Sequence, residues 1–205
     1  MNKWNQLADK ITINRTIDAL KANNINAKFV ETAQDAKKEV LSLIPNGAEV
    51  MNMSSVTLDS IGLPKDINDS GKYNSVKNKL NSMNRETEGS EMRKLGAAPE
   101  WSIGSVHAVT EDGHVLIASN TGSQLPAYAY GAAHVIWVVG AQKIVKNIDD
   151  GMKRIYEYVL PLESARLNKQ YNMTAGSFVS KLLIVNREFM PDRITIIIVN
   201  EPLGF

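Results

Sequence analysis

The chain has 205 residues, 43% hydrophobic and 22% charged, which suits an ordinary globular domain rather than a disordered or fibrous chain. Lys plus Arg number 23 against 22 Asp plus Glu, and a net charge of +1 offers no global field to hold a nucleic acid or an anionic membrane. The absence of cysteine removes disulfides, thiolate nucleophiles and Cys-ligated zinc or iron–sulfur centres together.

The first segment, 1–24, reads as a helix. Trp4, Leu7, Ala8, Ile11, Ile17 and Leu20 fall mostly at helical spacing, and Asn23 with Asn24 supplies a stop. It is periodic and charged throughout, unlike a signal peptide or membrane anchor, so a cytoplasmic location is expected. "INAKFVE" at 25–31 reads as a strand, and Thr32 followed by Asp35 is an N-cap signature opening the helix "AQDAKKEVLSLI". "AEVMNM" at 48–53 is a buried strand that runs through "SSVTLDSIGLP" into another helix. This alternation predicts a three-layer α/β/α fold with a mostly parallel sheet, because parallel strands need the long crossovers that helices supply.

Residues 64–99 form a polar excursion, read as solvated helices on the surface. Residues 103–119 hold two apolar runs separated by Glu111, Asp112 and Gly113, which predicts a β-hairpin. "LPAYAYGAA" reads as a short helix and "HVIWVVG" at 134–140 as a buried strand. A helix then follows Asn147 and is expected to end before Pro161. "KLLIV" and "RITIIIVN" are two further strands. The whole chain, 1–205, reads as one domain.

Two strand-to-helix junctions are suited to chemistry, "NMSSVT" at 52–57 and "SNTGSQ" at 119–124. N–H groups at a helix start lack intrahelical partners, and small hydroxyl or glycine residues let an anion approach them. Ser, Thr and Asn are also good N-caps, so mere capping is the competing explanation. Neither junction has Walker or G-x-G-x-x-G spacing, and no nucleotide cofactor is implied. Glu111 is a candidate base or nucleophile, although carboxylates also favour turns for local reasons, and Glu201 is a second carboxylate near the last strand end. His107, His114 and His134 match no zinc spacing and are expected to be structural, with no metal site implied. Tyr128, Tyr130 and Trp137 are read as core or pocket wall.

The segments "NMSSVTLDSIGLP", "HAVTEDGHVLIASNTGSQLPAYAYGAAHVIWVVGAQKIVKNIDDGMKRI", "PLESARL" and "RITIIIVNEPLGF" together resemble the LUD-domain proteins, named for bacterial lactate utilisation. The resemblance implies the superfold of ribose-5-phosphate isomerase and the CoA-transferases, with sugar-phosphate or acyl-CoA ligands bound at strand ends. It implies phosphate-gripping positions at Ser54, Ser55 and Thr57, a second loop formed by Asn120, Thr121, Gly122, Ser123 and Gln124, and an acidic residue at Glu111. This chain lacks the cysteine-containing segment that follows "NA-x-RL" in some relatives, and lacks an arginine after the loop glycine.

Three roles follow as expectations. The first is an accessory component of lactate or organic-acid utilisation that binds a small anionic metabolite and works with separate iron–sulfur redox proteins. The second is a free-standing isomerase or acyl/CoA-transfer enzyme using Glu111. The third is a metabolite sensor or scaffold. A homodimer is the expected assembly.

Overall fold

The computed structural model describes residues 2–171 and 174–205, leaving aside the side chain of residue 171. Asp9 caps the first long helix, α1 (Lys10–Ala22), by accepting the Thr12 N–H at 2.7 Å. Ile13, Thr16, Ile17 and Leu20 form its buried stripe, whereas Ile11 is 80% exposed. The expected helix over 1–24 therefore starts later. Residues Lys3–Asn5 make a separate short turn, and Trp4 packs against a different cluster from the one α1 serves.

β1 (Asn26–Val30) leads to α2 (Ala33–Leu43), capped as the sequence predicts by Thr32, whose hydroxyl accepts the Asp35 N–H at 3.1 Å. β2 (Glu49–Asn52) is followed by α3 (Val56–Ser60) and α4 (Leu63–Asn68). The polar excursion contains the short β3 (Asn74–Ser75), then α5 (Val76–Ser82) and α6 (Arg85–Ala97); α6 buries no residue. β4 (Trp101–Gly104) precedes the predicted hairpin, β5 (Ala108–Thr110) and β6 (Val115–Ser119), paired with Ala108 opposite Leu116. A single π-helical turn at Ala127–Gly131 leads to β7 (His134–Gly140), a 3-10 turn at Ala141–Lys143 and β8 (Ile144–Val145).

Asn147 caps α7 (Ile148–Arg154) by accepting the Asp150 N–H at 3.0 Å. The helix does not stop before Pro161. A π turn at Ile155–Val159, closed by the Leu160 N–H donating to the Ile155 carbonyl, carries it into α8 (Leu160–Tyr171). The wider i→i+5 turn makes room for a ring that would clash within a regular helix. β9 (Lys181–Val185) and β10 (Ile194–Val199) are the last strands among the described residues.

Six strands form an all-parallel sheet in the order β1-β10-β7-β4-β2-β3. Its central strands are buried on both faces, which is why they read as continuous apolar runs. Val135, Trp137, Ile196 and Ile198 face a core shared with α1 and α5, while Ile136, Val138, Ile197 and Val199 face one shared with α2, α3 and α4. This is the expected three-layer arrangement. The hairpin is not a lone appendage: β8 and β9 flank it in a second, four-stranded sheet of order β8-β5-β6-β9. Val109, Val115 and Ile117 turn towards the core shared with α1, and Ala108, Leu116 and Ala118 pack with Ile155 at the end of α7.

Candidate functional site

Both junctions singled out in the sequence line one cavity of about 650 Å³. Its walls come from the β2–α3 loop, the stretch after β4, the loop after β6, and the inner face of the helix running from Ile155 to Leu167. Strand ends deliver the first three, and those after β2 and β4 lie at the carboxyl ends of parallel strands, where an open sheet places its ligand crevice.

In the β2–α3 loop, Ser54 Oγ accepts a hydrogen bond from Lys77 Nζ at 2.9 Å, and Ser55 caps α3. Thr57 is buried, and its hydroxyl donates to the Leu203 carbonyl at 3.2 Å. In the loop after β6, Ser119 Oγ accepts the Gly122 N–H at 2.8 Å and donates to Gln124 Oε1 at 2.9 Å, closing a tight turn. Gly122 holds φ at +84°, a left-handed conformation that favours glycine. Asn120 Oδ1 accepts from Ser180 Oγ at 3.2 Å, tying the loop to the segment before β9.

Lys143 ties the β2–α3 loop to the stretch after β4. Its ammonium-bearing end is buried, with Nζ 2.9 Å from Thr57 Oγ1, 3.0 Å from Ser105 Oγ and 3.2 Å from the Val106 carbonyl. Burial, reinforced by the charge of Arg154, holds this amine well below the ordinary lysine value. His107 also lines the cavity; its Nδ1 accepts the Ala118 N–H at 3.0 Å, which leaves the other ring nitrogen as the N–H of a neutral imidazole. Burial, then the nearby charges of Lys143 and Arg154, push its pKa down to about 3. Arg154 itself is buried, donates to the His107 carbonyl at 2.6 Å, and sits 5.3 Å from the Tyr158 ring centroid.

Arg85, Arg166, Asp59 and Glu163 supply the remaining charges of the lining. Glu163 grips Arg166 through two bonds of 2.7 Å, so these two largely neutralise each other. Ile155, Val159, Leu167 and Phe178 add apolar surface to the lining. The cavity thus combines hydroxyls and charged side chains with apolar surface, the usual composition of a small-molecule site.

A family model for the LUD domain matches residues 13–199. The chain belongs to the LUD-domain family. Among solved structures, this LUD domain is similar to a DUF162 family protein from Deinococcus radiodurans, with a TM-score of 0.59 and 10% identity, over 95% of this chain and 100% of that one. At that identity the likeness speaks for the fold. No curated protein sequence matches the chain.

The LUD domain brings together Ser54, Ser55, Thr57, Asn120, Thr121 and Gln124 around the cavity. Gly122 and Ser123 shape the second loop without lining it. Two expectations need correcting. Glu111 does not line the cavity, because its carboxylate is paired with Arg15 of α1 across the hairpin turn. Glu201 also lies away from it, accepting the Ala33 N–H at 3.1 Å at the start of α2. Of the histidines, His134 stacks on Trp101 at 4.1 Å and His114 lies 3.5 Å from Asp112, while His107 belongs to the site. Among the described residues, no three His, Cys, Asp or Glu side chains cluster as metal ligands, and no helix is long and apolar enough to cross a membrane.

Sequence reasoning missed Lys143, Ser105, Arg85 and Arg166. A signal for Lys143 was present: it is a lone charge inside the otherwise uncharged run "VIWVVGAQKIV", and a buried charge is the informative exception among buried residues. Arg85 had no such mark, lying in the polar excursion among many charges.

Proposed function

We propose that this LUD domain binds a small carboxylate or phosphorylated metabolite in the cavity between the 53–57 and 119–124 loops, as an accessory component of lactate or other organic-acid utilisation. The observation that carries the reading is that the two anion-suited loops line the same hollow, with Arg85 on its surface. The hydroxyls and the Arg85 guanidinium suit the charged end of such a ligand, and the apolar surface of Ile155, Val159 and Leu167 suits its carbon skeleton. Since this sequence contains no cysteine, electron transfer in that role falls to separate iron–sulfur proteins. A homodimer is the assembly proposed for the chain.

Thermal unfolding in the presence of L-lactate, pyruvate, ribose 5-phosphate and acetyl-CoA tests the reading. A ligand that binds the folded state alone adds about 2.7 kcal/mol at one hundred times its dissociation constant, enough for a clear rise in melting temperature. The rise is expected for at least one of the four and is expected to shrink in Arg85→Ala. No rise with any of them at millimolar concentration would overturn the reading. Light scattering on the eluting protein reports the assembly.

A further inference from the structure

The floor of the cavity holds a pair of side chains equipped for more than binding. Lys143 Nζ is within hydrogen-bond distance of two hydroxyls, Ser105 Oγ at 3.0 Å and Thr57 Oγ1 at 2.9 Å, and these differ in where their own protons go. The Thr57 proton is committed to the Leu203 carbonyl at 3.2 Å. Ser105 Oγ has the Val106 carbonyl at 3.5 Å, too long to hold its proton firmly. The lysine amine is buried among these groups and is disfavoured as an ammonium. A neutral amine has two N–H bonds and one lone pair. With the N–H bonds directed to the Val106 carbonyl at 3.2 Å and to Thr57, the lone pair is left for the Ser105 hydroxyl. Ser105 is partly exposed, and both residues line the cavity.

We propose that Ser105 and Lys143 form a nucleophile–base pair that accepts the acyl group of an ester or thioester of a small carboxylic acid. The proposal rests on the cavity's admitting a small ligand, as in the reading above. A serine activated by a lysine is a known variant of the serine–base arrangement, and an amine disfavoured as an ammonium suits the role of base.

The steps balance without a further reagent. The Ser105 proton passes to Lys143 Nζ as Oγ bonds to the acyl carbon. The ester or thioester bond then breaks, and the alcohol or thiol leaves with the proton from Lys143. Water completes the cycle: Lys143 takes one of its protons, its oxygen bonds to the acyl carbon, the bond to Ser105 Oγ breaks, and Oγ recovers the proton. The products are the alcohol or thiol and the carboxylic acid. The apolar wall formed by Ile155, Val159 and Leu167 faces the acyl chain in this arrangement.

The test is to expose the full chain to an alkyl fluorophosphonate and read intact mass, the modified peptide and the rate. Phosphonylation forms a bond from Ser105 Oγ to phosphorus, and fluoride leaves with the displaced proton. One adduct on Ser105 is expected, absent in Ser105→Ala and forming about 100-fold more slowly in Lys143→Arg, whose guanidinium does not serve as a base. The pH dependence of the unaltered chain provides a readout that survives misfolding of that variant. The rate should level off at a pH below the ordinary lysine range as the amine loses its proton, whereas an unassisted serine would react in proportion to hydroxide throughout. No adduct, an adduct elsewhere, wild-type rate in Lys143→Arg, or a hydroxide-proportional rate overturns the pair. A chain that gains thermal stability from a carboxylate but forms no adduct keeps the binding site and loses the nucleophile; one that does neither loses both.

Discussion

The Tyr128 hydroxyl occupies the space that a side chain on Gly104 would need: a β-carbon there would overlap the oxygen and lie 2.9 Å from Tyr128 Cζ. Gly104 ends β4, and Tyr128 comes from the π turn before β7, where its ring meets Trp137 edge-on at a centroid distance of 5.4 Å. Because Tyr128 lines the cavity, this contact sets one of its walls. Gly104→Ala is expected to cost about 1–3 kcal/mol by overpacking. Combining it with Tyr128→Phe removes the overlapping oxygen and should recover part of that loss, a non-additivity that chemical denaturation of the four chains would measure.

Arg193 fastens the same turn from beneath. Its guanidinium donates to the carbonyls of Ala127 and Tyr128 at 3.0 Å and of Ala132 at 2.9 Å, and it pairs with Glu188 at 2.6 Å with both side chains buried. Removing one member of a buried pair strands the other charge without water. Arg193→Met is therefore expected to lower stability by about 3–5 kcal/mol, read as a lower denaturant midpoint with little change in slope.

Glu111 and Arg15 provide the contrasting case, since Arg15 is 59% exposed. Glu111→Gln should change stability by no more than about 1 kcal/mol and leave ligand-induced thermal shifts as they are. A selective loss of those shifts would return Glu111 to the site.

Much of the architecture was legible because it rests on local chemistry. The central strands announce themselves as unbroken apolar runs, and Thr32 and Asn147 cap helices through their own side chains, whereas the Asp9 cap that starts α1 went unread. The Pro161 stop was misplaced because a π turn depends on backbone bonding that leaves no compositional mark. Likewise, the joining of β8 and β9 to the hairpin is a long-range pairing that no local pattern specifies. The same division holds at the site. Ser54, Ser55, Thr57 and the Asn120–Gln124 loop were visible as polar junctions, whereas Ser105, Lys143 and Arg85 meet there only through tertiary packing. Glu111 was near the second junction in sequence but does not line the cavity, its carboxylate being held by Arg15 of α1 instead.

His107 makes stability depend on pH in a definite direction. Its folded pKa of about 3 lies below the ordinary histidine value of 6.5, so the unfolded chain binds the proton more readily. The contribution is complete above about pH 6.5 and is lost as pH falls towards 3, with a slope approaching about 1.4 kcal/mol per pH unit. His107→Asn keeps an acceptor for the Ala118 N–H but cannot take up a proton. The stability difference between the two chains should narrow or reverse on acidification from pH 7 to 4, and equilibrium denaturation at several pH values would show it. A difference independent of pH would contradict the assignment of a neutral imidazole.

The loops that border the cavity are rooted in different sheets, one following β2 of the parallel sheet and the other following β6 of the smaller one. A guest touching both therefore works as a clasp across the seam. Occupancy should slow amide exchange in β2 and β6 together, and its departure should loosen them in step, so that the chain reports a full or empty cavity through its cohesion.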